Sequence, residues 1–117
     1  MNVQAARVTT AAEPVLLREH VGAIAVLTLN RPAARNSLSE TLLKDLGKAF
    51  TEIAADQSVR AVVLAASGPA FCAGHDLKEL TGRRADADGG RDYFQHIMTT
   101  CSTMMQQIVN LPQPVIA

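Results

Sequence analysis

The residues best suited to chemistry lie between positions 66 and 80, in the run Ala-Ser-Gly-Pro-Ala-Phe-Cys-Ala-Gly-His-Asp-Leu-Lys-Glu-Leu. Small residues at 72–74 let a ligand approach the backbone closely, and Gly74 can adopt dihedrals barred to other residues. The first N–H groups of a helix have no internal partner and carry the positive end of its dipole. A helix starting near Asp76 would therefore leave a backbone N–H able to bind an anion or a developing oxyanion. A ligand-binding loop and a plain strand-to-helix connector both fit these residues.

Other chemical readings of the same stretch are thinner. His75 and Asp76, with His96 or Cys72, do not make the three or four spaced ligands of a metal site, so no metal is expected. Asp76 reads as a catalytic carboxylate or as a cap in the first helical turn. Cys72 has no evident base to activate it and reads equally as a small buried residue. Arg83-Arg84 would hold a phosphate or sit in a solvated loop, and His96, between apolar positions, is expected to be exposed.

The flanking pattern says what must position this loop. Residues 15–19 and 24–29 read as strands around a hairpin turn at His20-Val21-Gly22, and Asn30-Arg31-Pro32 stops the second. Ser37 with Glu40 fits a capping box, while Ser39 competes as the N-cap. Behind them Leu42, Leu43, Leu46, Ala49, Phe50 and Ile53 recur at helical intervals, predicting a helix over about 39–55. Ala61–Ala66 is apolar without alternation, which predicts a strand buried on both faces. Residues 81–90 are charged and Gly-rich and read as a mobile surface segment. Phe94, Ile97, Met98, Cys101, Met104, Met105, Ile108 and Leu111 then predict a second long helix, closed by Pro112 and Pro114 before Val115-Ile116-Ala117. The order β-β-α-β-loop-α-β argues an α/β domain over residues 14–117, with a loose arm over residues 1–13.

Composition narrows the class. The 117 residues are 48% hydrophobic and 19% charged, which is globular in character. Eleven Lys and Arg balance eleven Asp and Glu, so no global field exists to hold nucleic acid or an anionic membrane, and any anion site must be local. No apolar run approaches the roughly 18–20 residues that span a bilayer. The first residues have no apolar core of a secretory signal, and two cysteines make no disulfide framework, so a reducing compartment is expected.

Four segments resemble the enoyl-CoA hydratase/isomerase (crotonase) family in order and spacing: Leu29–Pro32, Arg35–Leu38, Ala61–Leu64 and Phe71–Leu80. The closing residues 112–117 look like the strand before that family's second oxyanion-hole loop. Within the family, Gly-His-Asp-Leu-Lys-Glu-Leu is most similar to the branch called enoyl-CoA hydratase domain-containing protein 3. The resemblance implies a crotonase-like ββα spiral, of which this chain would be the N-terminal portion, ending before the second oxyanion-hole loop. It implies that the His75 backbone N–H stabilises the enolate-like anion of an acyl-CoA thioester. It also implies CoA contacts at Arg31, Arg35, Ala73, Gly74, His75, Asp76, Leu77 and Lys78, with Lys78 and Arg31 or Arg35 neutralising phosphates.

Coenzyme A then enters as part of the substrate, with no separate cofactor. The expected reaction of the full-length protein is hydration of a 2-enoyl-CoA. The alternatives are a non-catalytic acyl-CoA binder or regulator, and an inactive fragment lacking the acid/base residues. A homo-oligomer, trimeric or hexameric, is implied. The implied setting is the bacterial cytoplasm, or the mitochondrial matrix in a eukaryote.

Overall fold

A computed structural model describes residues 13–117, so all but the last residue of the predicted arm lies outside the described residues. The hairpin comes first. Strand β1 (Leu16–Val21) pairs antiparallel with β2 (Ile24–Leu29) across the two-residue turn Gly22-Ala23, one position later than the sequence suggests. A single 3-10 turn (Pro32–Ala34) leads to helix α1 (Glu40–Ala54). Strand β3 (Ala61–Ala66) returns parallel to β2, and β4 (Val115–Ile116) adds parallel to β3, giving the order β1-β2-β3-β4. Between β3 and β4 lie the short helix α2 (Leu77–Gly82), a 3-10 turn (Arg83–Ala85) and the long helix α3 (Arg91–Asn110).

Helix α1 starts where Ser39, rather than Ser37, supplies the cap: its hydroxyl accepts from the Leu42 N–H at 3.2 Å. Glu40 is thereby freed from the capping box. Its carboxylate instead takes His96 Nε2 at 2.8 Å and Lys44 at 3.2 Å, and these contacts hold its pKa below the ordinary range. Its backbone N–H donates to Glu79 Oε1 at 2.9 Å, so one residue ties α1 to both later helices. The His96 ring is exposed, as expected from its place between apolar positions, yet it is not idle.

All six apolar positions foreseen on α1 are buried, and they pack on Ala25, Leu27, Leu29 and Val62 of the sheet. Only one sheet face is covered. Val62 is fully buried, but the rest of β3 is half-buried, which corrects the expectation of burial on both faces. The reason is the period of two: Val62, Leu64 and Ala66 share the core side with β2's buried residues, while Val63 and Ala65 face the other way. On α3 only Ile97 and Met104 of the predicted stripe are buried; Met98 and Met105 are exposed.

The segment 81–90 lies at the surface, as expected, and carries regular structure. It is the end of α2 followed by a 3-10 turn, with Arg83 Nε on Asp86 at 2.8 Å and its guanidinium 4.1 Å above the Tyr93 ring. These local bonds and the cation–π contact, invisible to composition, order the segment. At the far end the Gln113 amide reaches back to the Ile53 carbonyl at 2.7 Å, fastening the turn before β4 to the end of α1.

Two substitutions check this packing. Phe50→Ala, at a side chain with no exposure, is expected to destabilise the chain by about 3–5 kcal/mol. Ser39→Ala should cost about 1 kcal/mol through loss of the cap, whereas Ser37→Ala leaves that cap in place. Denaturant unfolding of the three variants reads both.

Candidate functional site

Two connections leave the ends of the adjacent strands β2 and β3 and run alongside each other. The first, residues 30–39, joins β2 to α1. The second, residues 67–76, joins β3 to α2. Gly68, at φ +83°, lets this second loop pass Pro32, since a Cβ there would lie 2.7 Å from the proline's own. Further along, the Ala73 N–H donates to the Arg35 carbonyl at 3.0 Å.

The pairing then tightens into a single parallel bridge between Leu38 and His75. The Leu38 N–H donates to the Gly74 carbonyl at 2.7 Å, and the Asp76 N–H donates to the Leu38 carbonyl at 3.2 Å. A parallel bridge uses the neighbours of the bridged residue on one strand, so the N–H of His75 itself points away from Leu38. Among the described residues it donates to no backbone carbonyl and no side chain. Gly74 precedes it at φ +97°, and nothing stands within 4 Å of where a Gly74 Cβ would be. The result is an unpaired donor beside open space.

The sequence places a free donor in the first turn of a helix, and the structure gives it a different origin. Asp76 is the N-cap of α2, and its Oδ1 accepts from the Lys78 N–H at 3.0 Å and the Glu79 N–H at 3.2 Å. Two of the helix's early donors are therefore occupied, and the Leu77 N–H, near His75, is left without a partner among the described residues. Of the two readings of Asp76, cap and catalytic carboxylate, its geometry is that of the cap.

Arg31 reinforces it. One guanidinium nitrogen donates to Asp76 Oδ2 at 3.0 Å, and the other to the Ser37 carbonyl at 2.5 Å and its hydroxyl at 3.0 Å. Burial pushes the Asp76 carboxyl up, but hydrogen bonds from the Glu79 N–H and Arg31, the Arg31 charge and the Lys78 N–H outweigh it and hold the pKa below its ordinary 3.8. The Arg31 guanidinium is thus engaged within the loop pair. Arg35 and Lys78 are exposed and form no ion pair among the described residues.

The structure brings Arg31, Arg35, Ala73, Gly74, His75, Asp76, Leu77 and Lys78 into one neighbourhood built from the two loops and the start of α2. Leu77 is 70% exposed and Phe71 49%, leaving apolar surface beside the donor. The His75 side chain has its Nδ1 buried without a partner. Cys72 is half-buried, and the Cys101 thiol is pushed up, first by burial and then by the nearby Cys72, so Cys101 does not suit a thiolate nucleophile. Among the described residues no group of three His, Cys, Asp or Glu side chains is arranged to hold a metal ion. Asn36 and Ser37, both buried, were not marked as site residues; an Asn in a short turn between strand and helix is the signal that could have found the first.

The model of the family described as enoyl-CoA hydratase/isomerase matches residues 19–117. Enoyl-CoA hydratase domain-containing protein 3, mitochondrial, of Rattus norvegicus is 40% identical over 91 residues, which is 78% of this chain and 29% of the relative. The crystal structure of an enoyl-CoA hydratase from Mycobacterium smegmatis superposes with a TM-score of 0.79 at 51% identity, covering 88% of this chain and 38% of that one. Human enoyl-CoA hydratase domain-containing protein 3 gives 0.77 at 36% identity, covering 86% and 38%. The chain therefore spans about a third of the length of the proteins it matches.

The Arg31–Asp76 pair generates a pH test. Because the folded Asp76 carboxyl titrates below its unfolded value, its ionised form contributes stability above about pH 3.8. That contribution is lost as pH falls through the depressed native value. Asp76→Asn keeps a capping acceptor but removes the charge, so it should lower stability at pH 7 by about 1–3 kcal/mol. The gap to the parent should close towards pH 2 in unfolding titrations, and a gap that stays constant with pH would rule out the charge as its source.

Proposed function

The chain belongs to the enoyl-CoA hydratase/isomerase family and carries the N-terminal part of the crotonase fold, and on that premise we propose that it forms half of an oxyanion site for acyl-CoA thioesters. The observation that carries this reading is the His75 N–H, unpaired because the Leu38 bridge uses its neighbours instead. A thioester carbonyl placed on that donor gains negative charge as an enolate forms, and a fixed N–H strengthens its hydrogen bond as the charge grows. A preorganised donor of this kind is worth roughly 3–4 kcal/mol in the transition state.

Arg35 and Lys78, exposed and unpaired, suit the phosphates of coenzyme A, while Ala73 and Gly74 leave the backbone open to the ligand. Phe71 and Leu77 supply apolar surface for the pantetheine arm or acyl chain. In a full-length protein the reaction would be addition of water to a 2-enoyl-CoA, an activity of fatty-acid breakdown. Its setting would be the bacterial cytoplasm or, as the name of the rat relative has it, the mitochondrion. No helix among the described residues is long and apolar enough to cross a membrane. Assembly as a homo-oligomer belongs to the same proposal.

One observation favours a second reading, binding without turnover. The two carboxylates nearest the donor are both engaged: Asp76 caps α2 and holds Arg31, and Glu79 accepts from the Glu40 N–H. Neither is poised to move a proton to or from water. In this reading the segment is an acyl-CoA cradle.

Both readings are tested through the donor. His75→Pro deletes the N–H that the bridge does not use. In a full-length protein carrying this segment, it is expected to lower kcat for hydration of but-2-enoyl-CoA about 100–1,000-fold. Calorimetric titration of the parent chain with butanoyl-CoA separates the readings: binding with no hydration of the enoyl thioester marks a binder. Unchanged kcat in the His75→Pro protein would remove the donor from the mechanism.

A further inference from the structure

We propose that Asn36 is the positioning residue for the His75 donor, acting as a pin that sets the register in which the two loops pair. The inference rests on the reading of the His75 N–H as the thioester's hydrogen-bond donor. Asn36 has no exposure, and every hydrogen-bonding group of its amide is used. Its Oδ1 accepts from the Arg31 N–H at 2.7 Å, and its Nδ2 donates to the carbonyls of Ser67 at 2.8 Å and Ala70 at 2.9 Å. The first bond closes the turn that leaves β2. The other two clasp the start of the loop that leaves β3.

The backbone there is equally constrained. Arg35 and Asn36 are consecutive left-handed residues, at φ 55° and 54°, and are the two non-glycine residues with positive φ among those described. Asn tolerates this conformation better than other side chains do. A left-handed turn alone would not decide how the neighbouring loop lies against it, whereas the amide does, because it grips carbonyls three residues apart on that loop.

Downstream of the pin the two strands of chain run in step: Ala73 to Arg35, Leu38 to Gly74, Asp76 to Leu38. Register decides function here. In a parallel pair alternate residues make the bonds, so a slip of one position that bridged Leu38 with Gly74 would hand the His75 N–H to the Leu38 carbonyl and leave Gly74 unpaired instead. Arg31, whose N–H is held by Asn36 and whose guanidinium holds Ser37 and Asp76, carries the same alignment to the far side of the bridge.

The test uses the full 117-residue chain as parent, Asn36→Gly and Asn36→Asp. Glycine keeps the left-handed backbone and removes all three side-chain bonds. Aspartate keeps the acceptor for the Arg31 N–H but turns a carboxylate towards two carbonyls. Amide hydrogen exchange is read at Leu38 and Asp76, paired in the bridge, and at Leu27 and Val62 in the sheet. Titration with butanoyl-CoA follows on the same samples.

In both variants Leu27 and Val62 are expected to keep their protection, while Leu38 and Asp76 exchange at least tenfold faster and the His75 resonance shifts. Butanoyl-CoA affinity is expected to fall tenfold or more. Unchanged protection at Leu38 and Asp76 in Asn36→Gly would overturn the proposal, as would parent-like affinity once that protection is lost. Loss of protection at Leu27 and Val62 in both variants would make Asn36 a general fold residue and overturn it too. A parent chain that does not bind butanoyl-CoA removes the thioester assignment, while exchange at Leu38 and Asp76 still decides whether Asn36 sets the register.

Discussion

A parallel pair of extended segments cannot use all its amide hydrogens at once, and the candidate site depends on that limit. At the Leu38–His75 bridge the bonds fall to Gly74 and Asp76, so the N–H between them has no partner in the pairing. An unpaired backbone N–H shut away from water costs free energy comparable to a lost hydrogen bond. Beside the His75 N–H, nothing stands within 4 Å of where a Gly74 Cβ would be, which leaves room for an acceptor to satisfy it. The donor is therefore a consequence of ordinary pairing geometry and needs no strain at His75.

That constraint reorders the parts of the α2 terminus. A helix start attracts anions only while its first N–H groups are free. Here Asp76 takes two of them, and its own charge is met by Arg31. The local positive field beside the donor comes instead from Arg35 and Lys78, side chains that remain at the surface of a chain with no net charge. In the proposed site, electrostatic attraction and hydrogen-bond geometry would thus come from different residues.

Much of this was legible in the sequence because period and punctuation carry it. The six apolar positions of α1, the order of elements along the chain and the glycine loop before His75 follow from spacing and from where Gly and Pro fall. The choice between Ser37 and Ser39 did not, since both satisfy a local capping rule and the winner is set by where Glu40 is needed, on His96 and Lys44. The burial of β3 was overestimated because an apolar run does not say how many faces are covered. The order of residues 81–90 rests on Arg83 meeting Asp86 and Tyr93, contacts that a count of charges and glycines reads as solvation. The sequence marks Asn36 only as a turn residue: two of its three partners lie at 67 and 70, and only the folded chain brings them to it.

The supports of the donor also define what this segment can do by itself. Arg31, Asn36, Ser37, Leu38, Ser67, Ala70, Gly74 and Asp76 all lie between residues 31 and 76, and every hydrogen bond that shapes the bridge closes within that span. The geometry of the donor is accordingly local, although the matched proteins are about three times as long. Proton transfer is not local in the same way, because the neighbouring carboxylates are already committed to holding α1 and α2 in place. Holding the donor and moving a proton are thus separable: residues 31–76 close the hydrogen bonds that set the His75 N–H apart, while the carboxylate beside it, Asp76, is spent on Arg31 and the α2 cap.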